Sequence, residues 1–387
     1  MIAIAILAAG KGTRMKSSIP KVLQTIAGVS LIKRVIQSCQ ELNPDKIFVI
    51  VGHQAEEVKA HLKGINGIEF ILQEPQLGTG HAVQQLGQKL IGFKGDLLVL
   101  NGDVPLIKLF TIKSLINTHL ETNAGVTFLS AKLKEPRGYG RVFADEKSQV
   151  KYIKEDKDCN KEQRLNTLTN AGIYCFKWSQ LEKILPNLSK GNSQKEIYIT
   201  DSIPKFELAM HKEVSNTLEI IGVNDKKQLS ECEAIVQKEL REYWMKEGVT
   251  FLDPNSCTLS QECHFGQDVV IEPQTHFRGR CKVGNRSRIG PDSLITDSEL
   301  GDDVILLKSV LNNAQVKDKV KIGPFSHLRP NTNISENCRI GNFVEIKKSF
   351  IGEGSKINHL SYIGDARIEE KVNIGAGTIT ANYDGQK

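Results

Sequence analysis

The chain has 387 residues, too long for one ordinary domain and enough for two or three. Its 51 basic and 45 acidic residues leave a formal charge of +6, dispersed and never interleaved with aromatics, which argues against a nucleic-acid surface. Eight scattered cysteines form no C-x-x-C pair, and no apolar run approaches the roughly 18 residues of a membrane span. Zinc and redox motifs, a disulfide framework and a membrane association are therefore not expected, and a reduced, cytoplasmic setting is.

The N-terminal run Ile2–Leu7 is apolar but lacks a basic flank and meets Gly10-Lys11-Gly12 directly, so it reads as a buried strand rather than a signal peptide. Further short apolar runs follow at Ile47–Val51, Ile68–Leu72 and Leu97–Leu100. Helical patterns separate them at Leu31–Cys39, Ala55–Leu62 and His81–Leu86. This alternation predicts a Rossmann-like α/β domain over residues 1–226, with a mostly parallel sheet and helices on both faces. Ligands of such sheets bind beyond the carboxyl ends of strands, here the loops after Leu7, Leu72 and Leu100.

From Lys227 to about Met245 the pattern is fully helical, with Leu229, Cys232, Ile235, Val236 and Leu240 at helical spacing. It predicts a helical linker over 227–247. Beyond it, over 248–387, an aliphatic-Gly pair recurs at Val283-Gly284, Ile289-Gly290, Leu300-Gly301, Ile322-Gly323, Ile340-Gly341, Ile351-Gly352, Ile363-Gly364 and Ile374-Gly375. The gaps of 6, 11, 22, 18, 11, 12 and 11 cluster near multiples of six, the signature of a parallel β-helix of hexapeptide repeats. Each aliphatic residue is expected to point into a triangular prism. Each following glycine is expected at a corner with unusual dihedrals. An antiparallel sandwich with Gly-rich turns is the competing reading.

Chemistry concentrates first in Leu7-Ala8-Ala9-Gly10-Lys11-Gly12-Thr13-Arg14-Met15, after the first strand. Two glycines let backbone N–H groups approach an anion, and Arg14 offers a planar cationic fork. The stretch lacks the terminal G-K-[ST] of a P-loop, and Met15 stands where the dinucleotide fingerprint has its third glycine. Lys21, after Pro20, adds a second cation. Asp103, in Asn101-Gly102-Asp103-Val104-Pro105, is a hard oxygen ligand at a strand end. Such a set suits transfer between two polyanions, where charge neutralisation and positioning matter more than a general base. The plain alternatives are a turn or cap role for Asp103 and ordinary loop polarity for Glu155 and Asn170.

With Gln73-Glu74-Pro75-Gln76-Leu77-Gly78-Thr79-Gly80-His81-Ala82, these motifs resemble the bifunctional N-acetylglucosamine-1-phosphate uridylyltransferase/glucosamine-1-phosphate N-acetyltransferases over the whole chain. The resemblance implies that Leu7, Ala8, Ala9, Gly10 and Lys21 hold the nucleotide, with Arg14 and Lys21 catalytic. It implies that Gln73, Gly78 and Thr79 read the uracil and that Asn101, Gly102 and Asp103 lie under the phosphates. Gly140, Glu155 and Asn170 would contact the amino sugar, and Asp103 and Asn224 would bind Mg2+. Asn101 departs from the Tyr or Ser common at that place, with little effect expected.

In the repeat region the resemblance rests on Leu328-Arg329-Pro330, Asn342–Lys348, His359-Leu360-Ser361-Tyr362 and Asn373–Gly377. It implies a left-handed β-helix, His359 as catalytic base, and Arg329, Lys347, Tyr362 and Asn373 as sugar-phosphate ligands. Ala376, Asn382 and Tyr383 would meet acetyl-CoA. The His359 site is expected to stack, with Lys347 and His359 12 residues apart and His359 and Asn373 14 apart; a satisfied surface histidine is the plain alternative. The implied substrates are UTP, N-acetylglucosamine-1-phosphate, glucosamine-1-phosphate and acetyl-CoA, and the implied assembly is a homotrimer. Because the sequence stops at Tyr383-Asp384-Gly385-Gln386-Lys387 within a coil and shows no cap, a C-terminal truncation is expected, with competence mainly for the uridylyl step. A pyrophosphorylase for another nucleotide or sugar is disfavoured by the Gln73…Gly78-Thr79 spacing and the His359 cluster. A non-catalytic scaffold is disfavoured by the intact Gly10–Arg14 loop and Asp103.

Overall fold

The computed structural model describes residues 1–382 and 385. Two compact units emerge, Met1–Thr25 with Ser30–Cys232, and Ile26–Val29 with Glu233 onward. Among the described residues no helix is long and apolar enough to cross a membrane.

The first unit is built on nine strands: β1 (Ile2–Ala8), β2 (Lys46–Val51), β3 (Ile68–Leu72), β4 (Asp96–Asn101), β5 (Val126–Lys132), β6 (Arg141–Ala144), β7 (Val150–Lys154), β8 (Leu168–Lys177) and β9 (Ala209–Glu213). Their order is β9-β5-β8-β4-β1-β2-β3, with β6 paired to β8 and to β7. Pairings among β4, β1, β2 and β3 are parallel, as is β9 with β5, whereas β8 runs antiparallel to both β4 and β5.

Side chains alternate across β1. Ile4, Ile6 and Ala8 pack against α1 (Leu31–Gln40), α2 (Ala55–His61) and α4 (Leu109–Thr122). Ala3 and Ala5 share the opposite layer with α3 (Thr79–Gln84) and α5 (Trp178–Ile184). A sheet covered on both faces needs apolar side chains in both directions, which is why Ile2–Leu7 is uninterrupted.

Helix α6 spans Lys226–Lys246, and the division between units falls within it, between Cys232 and Glu233. In the second unit short parallel strands stack in ladders. One carries Ile271, Ile289, Leu306, Ile322, Ile340, Ile357 and Ile374 in register, advancing 16 to 18 residues per coil. A second carries Phe265, Val283, Leu300, Val316, Ile334, Ile351 and Ile368. A third runs through Phe277, Ile295, Leu311, Leu328, Ile346 and Ile363. These side chains fill one continuous apolar interior, as a parallel β-helix requires.

The expected role of the repeat glycines is corrected. Of the eight, only Gly290 and Gly323 have positive φ, at 115° and 97°. After Gly284, Gly301 and Gly341 the left-handed residue lies two positions later, at Arg286, Asp303 and Phe343, with φ of 56°, 58° and 58°. Glycine is required for room instead, except at Gly375, where a β-carbon would meet no atom of the described residues within 4 Å. A β-carbon on Gly284 would collide with Gly301 and Asp302 of the next coil, and one on Gly341 with the Asn358 carbonyl.

All eight cysteines are buried and free. Burial pushes the Cys39 thiol up to about 12 and Cys232 up to about 11, which keeps both protonated and unreactive.

Candidate active sites

A cleft of about 690 Å³ opens at the carboxyl ends of β1, β3 and β4. Its first wall is the loop after β1. Gly12 there has φ 58°, and a β-carbon on it would lie 2.7 Å from that of Lys21. Glycine thus permits both the turn and the approach of the lysine-bearing segment.

Lys21 Nζ meets Asp103 Oδ2 and lies 3.3 Å from Asn224 Oδ1, which also accepts from Arg14 at 2.8 Å. Backbone ties fix the arrangement: Val223 N donates to Asp103 O at 2.9 Å, and Asn224 N to Gln228 Oε1 at 2.8 Å. The side chains of Lys21 and Asp103 are only 17 % and 14 % exposed, so solvent screens this charge poorly. Two cations and two oxygen donors therefore converge on one point.

Gln73 is buried and donates through Nε2 to Gly78 O at 2.9 Å. Gly80 N donates to Ile197 O, Ile197 N to Leu77 O, and Ile199 N to Thr79 Oγ1. The 73–80 segment is thereby stitched to 197–199.

Opposite it lies a carboxylate environment of another kind. Thr200 Oγ1 donates to Glu155 Oε1 at 2.9 Å. Burial pushes the Glu155 carboxyl above its ordinary range, against that bond and with help from Asp201, Asp158 and Asp156. Asn170 donates to the Tyr174 hydroxyl at 2.6 Å, and burial raises that phenol as well. Asn101 packs its amide against Gly172, which has no β-carbon to obstruct it.

The cleft brings together Leu7, Ala8, Ala9, Gly10, Arg14, Lys21, Gln73, Gly78, Thr79, Asn101, Asp103, Gly140, Glu155, Asn170 and Asn224. Gly102 is behind it, its amide donating to Leu7 O at 2.9 Å. Tyr139, Gly172, Thr200 and Gly222 also line the cleft, though none is singled out by the sequence. Tyr139 and Gly222 are sequence neighbours of Gly140 and Asn224, whereas Thr200 carries no local signal. Burial pushes the Tyr139 phenol up, opposed by a Gly222 backbone bond, with Asp103 adding to the rise.

The repeat-region residues lie on an open face of the β-helix. The expected 12- and 14-residue stacking is corrected: with coils of 16 to 18 residues, His359 sits in register with Asn342, and Lys347 with Gly364. Asn373 pairs instead with Lys356, and Arg329 N donates to Ile346 O. His359 Nδ1 is 3.0 Å from Asn342 Oδ1. In a neutral ring, an Nδ1–H donating to that amide oxygen leaves the Nε2 lone pair available.

Arg329 pairs with Glu345 at 2.7 Å, and Lys347 with Asp365 at 3.8 Å. The Tyr362 hydroxyl accepts from Asn382 at 3.1 Å. Ala376 is exposed, and Tyr383 lies outside the described residues.

An α/β sheet with a cation-lined cleft at its switch point, followed by a hexapeptide β-helix, defines a nucleotidyltransferase joined to a hexapeptide-type transferase. Family models agree: the nucleotidyl transferase family matches residues 3–245, and the bacterial transferase hexapeptide family residues 313–348. The bifunctional protein GlmU of Prochlorococcus marinus (strain MIT 9211) is 61 % identical over 385 residues, covering all of this chain and 85 % of that protein. The bifunctional protein GlmU of Synechococcus sp. (strain CC9902) is 58 % identical, covering 100 % and 86 %. The chain belongs to the bifunctional GlmU family.

Proposed function

We propose that the cleft transfers a uridylyl group from UTP to N-acetylglucosamine-1-phosphate, and that the β-helix face acetylates glucosamine-1-phosphate from acetyl-CoA to supply that acceptor. The convergence of Arg14, Lys21, Asp103 and Asn224 carries the first assignment.

In the uridylyl step a phosphate oxygen of the acceptor forms a bond to the α-phosphorus of UTP. The bridge to the β-phosphate breaks, and pyrophosphate leaves with the electron pair. The attacking oxygen is already anionic, so no base is required. Arg14 and Lys21 neutralise the charge that accumulates, and the weakly screened cleft strengthens their effect. Gln73, Gly78 and Thr79 hold the base, while Gly140, Glu155 and Asn170 hold the amino sugar.

Among the described residues no three His, Cys, Asp or Glu side chains gather as a metal cluster. The donor set that fits Mg2+ is the Asp103 carboxylate with the Asn224 carboxamide oxygen, two hard ligands already drawn around the Lys21 ammonium. Mg2+ held there supplies further neutralisation of phosphate charge.

In the acetyl step the amine of the sugar attacks the thioester carbonyl, the C–S bond breaks, and the coenzyme thiol leaves. His359 Nε2 takes the amine proton and gives it to the departing sulfur, which leaves as the thiol. Arg329, Lys347, Tyr362 and Asn373 hold the sugar phosphate, and Ala376, Asn382 and Tyr383 meet the coenzyme. We further propose a homotrimer and a cytoplasmic setting, supported by the hexapeptide repeats and by the eight free cysteines.

Pyrophosphate release measured across nucleotide and sugar-phosphate pairs, with and without Mg2+, tests the substrate assignment. UTP with N-acetylglucosamine-1-phosphate should give the highest kcat/KM, and a better pair would refute it.

A further inference from the structure

We propose that Arg141 and Asp156 are positioning residues of the uridylyl site, a latch that holds the 138–140 wall in the geometry that receives the sugar phosphate. The proposal rests on the uridylyl assignment above.

Arg141 opens β6 and is 2 % exposed, among the largest fully buried side chains of the chain. A buried guanidinium needs partners to offset its lost hydration. Here one amino group donates to Tyr139 O and the other to Asp156 Oδ1 at 2.9 Å. The second carboxylate oxygen, Oδ2, accepts from Gly138 N at 3.0 Å. A single ion pair thus grips the backbone of two consecutive residues, taking the N–H of one and the C=O of the next. Asn170 N holds the third residue through Gly140 O at 2.8 Å. The Gly140 N–H has no acceptor among the described residues, and Gly140 lines the cleft.

Neither Arg141 nor Asp156 lines the cleft. They act through the wall, which carries Tyr139 and Gly140 and stands beside Glu155. The nucleotide side is fixed by other bonds, from Gln73 to Gly78 O and from Ile199 to Thr79, and shares no atom with the latch. Loosening the latch should therefore weaken sugar-phosphate recognition and spare UTP.

Asp156→Asn preserves shape and an acceptor for Gly138 N–H but removes the charge that pairs Arg141. Initial rates of pyrophosphate release from the full chain, with UTP and N-acetylglucosamine-1-phosphate varied separately, read the effect. We expect the sugar-phosphate KM to rise about tenfold and the UTP KM to stay within about twofold, the scale of a small misplacement in a positioned site. Arg141→Lys, which keeps the charge but loses the fork, should give a smaller split in the same direction and stands in if the first variant does not fold. Wild-type turnover of this pair tests the uridylyl assignment independently. Given that turnover, two KM values that rise together, or that both stay unchanged, overturn the latch.

Discussion

The two candidate sites are assembled in opposite ways. In the cleft, partners come from remote parts of the chain: Lys21 and Asp103 are 82 residues apart, Arg14 and Asn224 210. On the β-helix, His359 meets Asn342 at a separation of 17 and Arg329 meets Glu345 at 16, one coil each. Burial differs too. The Lys21–Asp103 pair is mostly enclosed, whereas Arg329 and Glu345 are 40 % and 41 % exposed. A folded sheet can collect charges into a poorly screened cleft. A solenoid displays them at regular intervals on an open face, where each pair contributes little to stability and can give way to a ligand.

That contrast ranks the expected losses. Lys21→Ala should lose about a thousandfold in pyrophosphate release, because it removes a partly buried cation and leaves Asp103 unpaired. A loss below tenfold would show that the enclosed charge is not what drives the step. His359→Ala should lower acetyl transfer by about a hundredfold or more, followed as coenzyme thiol released, since only proton removal is lost. A loss of the same size in pyrophosphate release would break the separation between the two sites.

Structural changes should be smaller. Gly341→Ala drives a β-carbon into the Asn358 carbonyl and should cost about 1–3 kcal/mol, seen as a lower melting midpoint with unchanged Lys21-dependent turnover. Glu155→Gln should give the smallest effect, with a defined pH dependence. Burial raises the carboxyl of the folded state, so the folded chain holds that proton more tightly than the unfolded one. The stability this provides is complete below the ordinary glutamate range and is lost as pH rises through the raised folded value. The variant should therefore melt above wild type at pH 8 and level with it at pH 4. The reverse order would mean that Glu155 is held by its hydrogen bond to Thr200 rather than penalised by burial.

The same contrast decides how much the sequence tells. The parallel half of the sheet was readable because β1, β2 and β4 are buried on both faces and appear as plain apolar runs, while the edge strand β3 is half-buried yet still mostly apolar in sequence. Strands β6 and β7 were not, since an antiparallel pair with a wetter face leaves mixed patterns such as Val150–Lys154, whose residues 151 and 152 are exposed; β5 and β8 are buried but break their apolar runs with Thr127, Ser130, Thr169 and Asn170. The repeats announced the β-helix but misled about its glycines, because close approach and a turn favour the same residue type. In the cleft, residue types at loop motifs marked the chemistry. Nothing local marked Thr200 beneath Glu155, or the burial of Arg141 against Asp156, since both follow from chain crossings that only the fold creates.

The proposed scheme places two independent chemistries in one chain, one of them driven by an enclosed cradle of charge. Its most direct test is the rate of pyrophosphate release from UTP and N-acetylglucosamine-1-phosphate by Asp103→Ala and His359→Ala, side by side with wild type at saturating Mg2+. Asp103→Ala should lose about a thousandfold or more while His359→Ala stays within about twofold of wild type. Near-normal release by Asp103→Ala, or an equal loss in both, would contradict it.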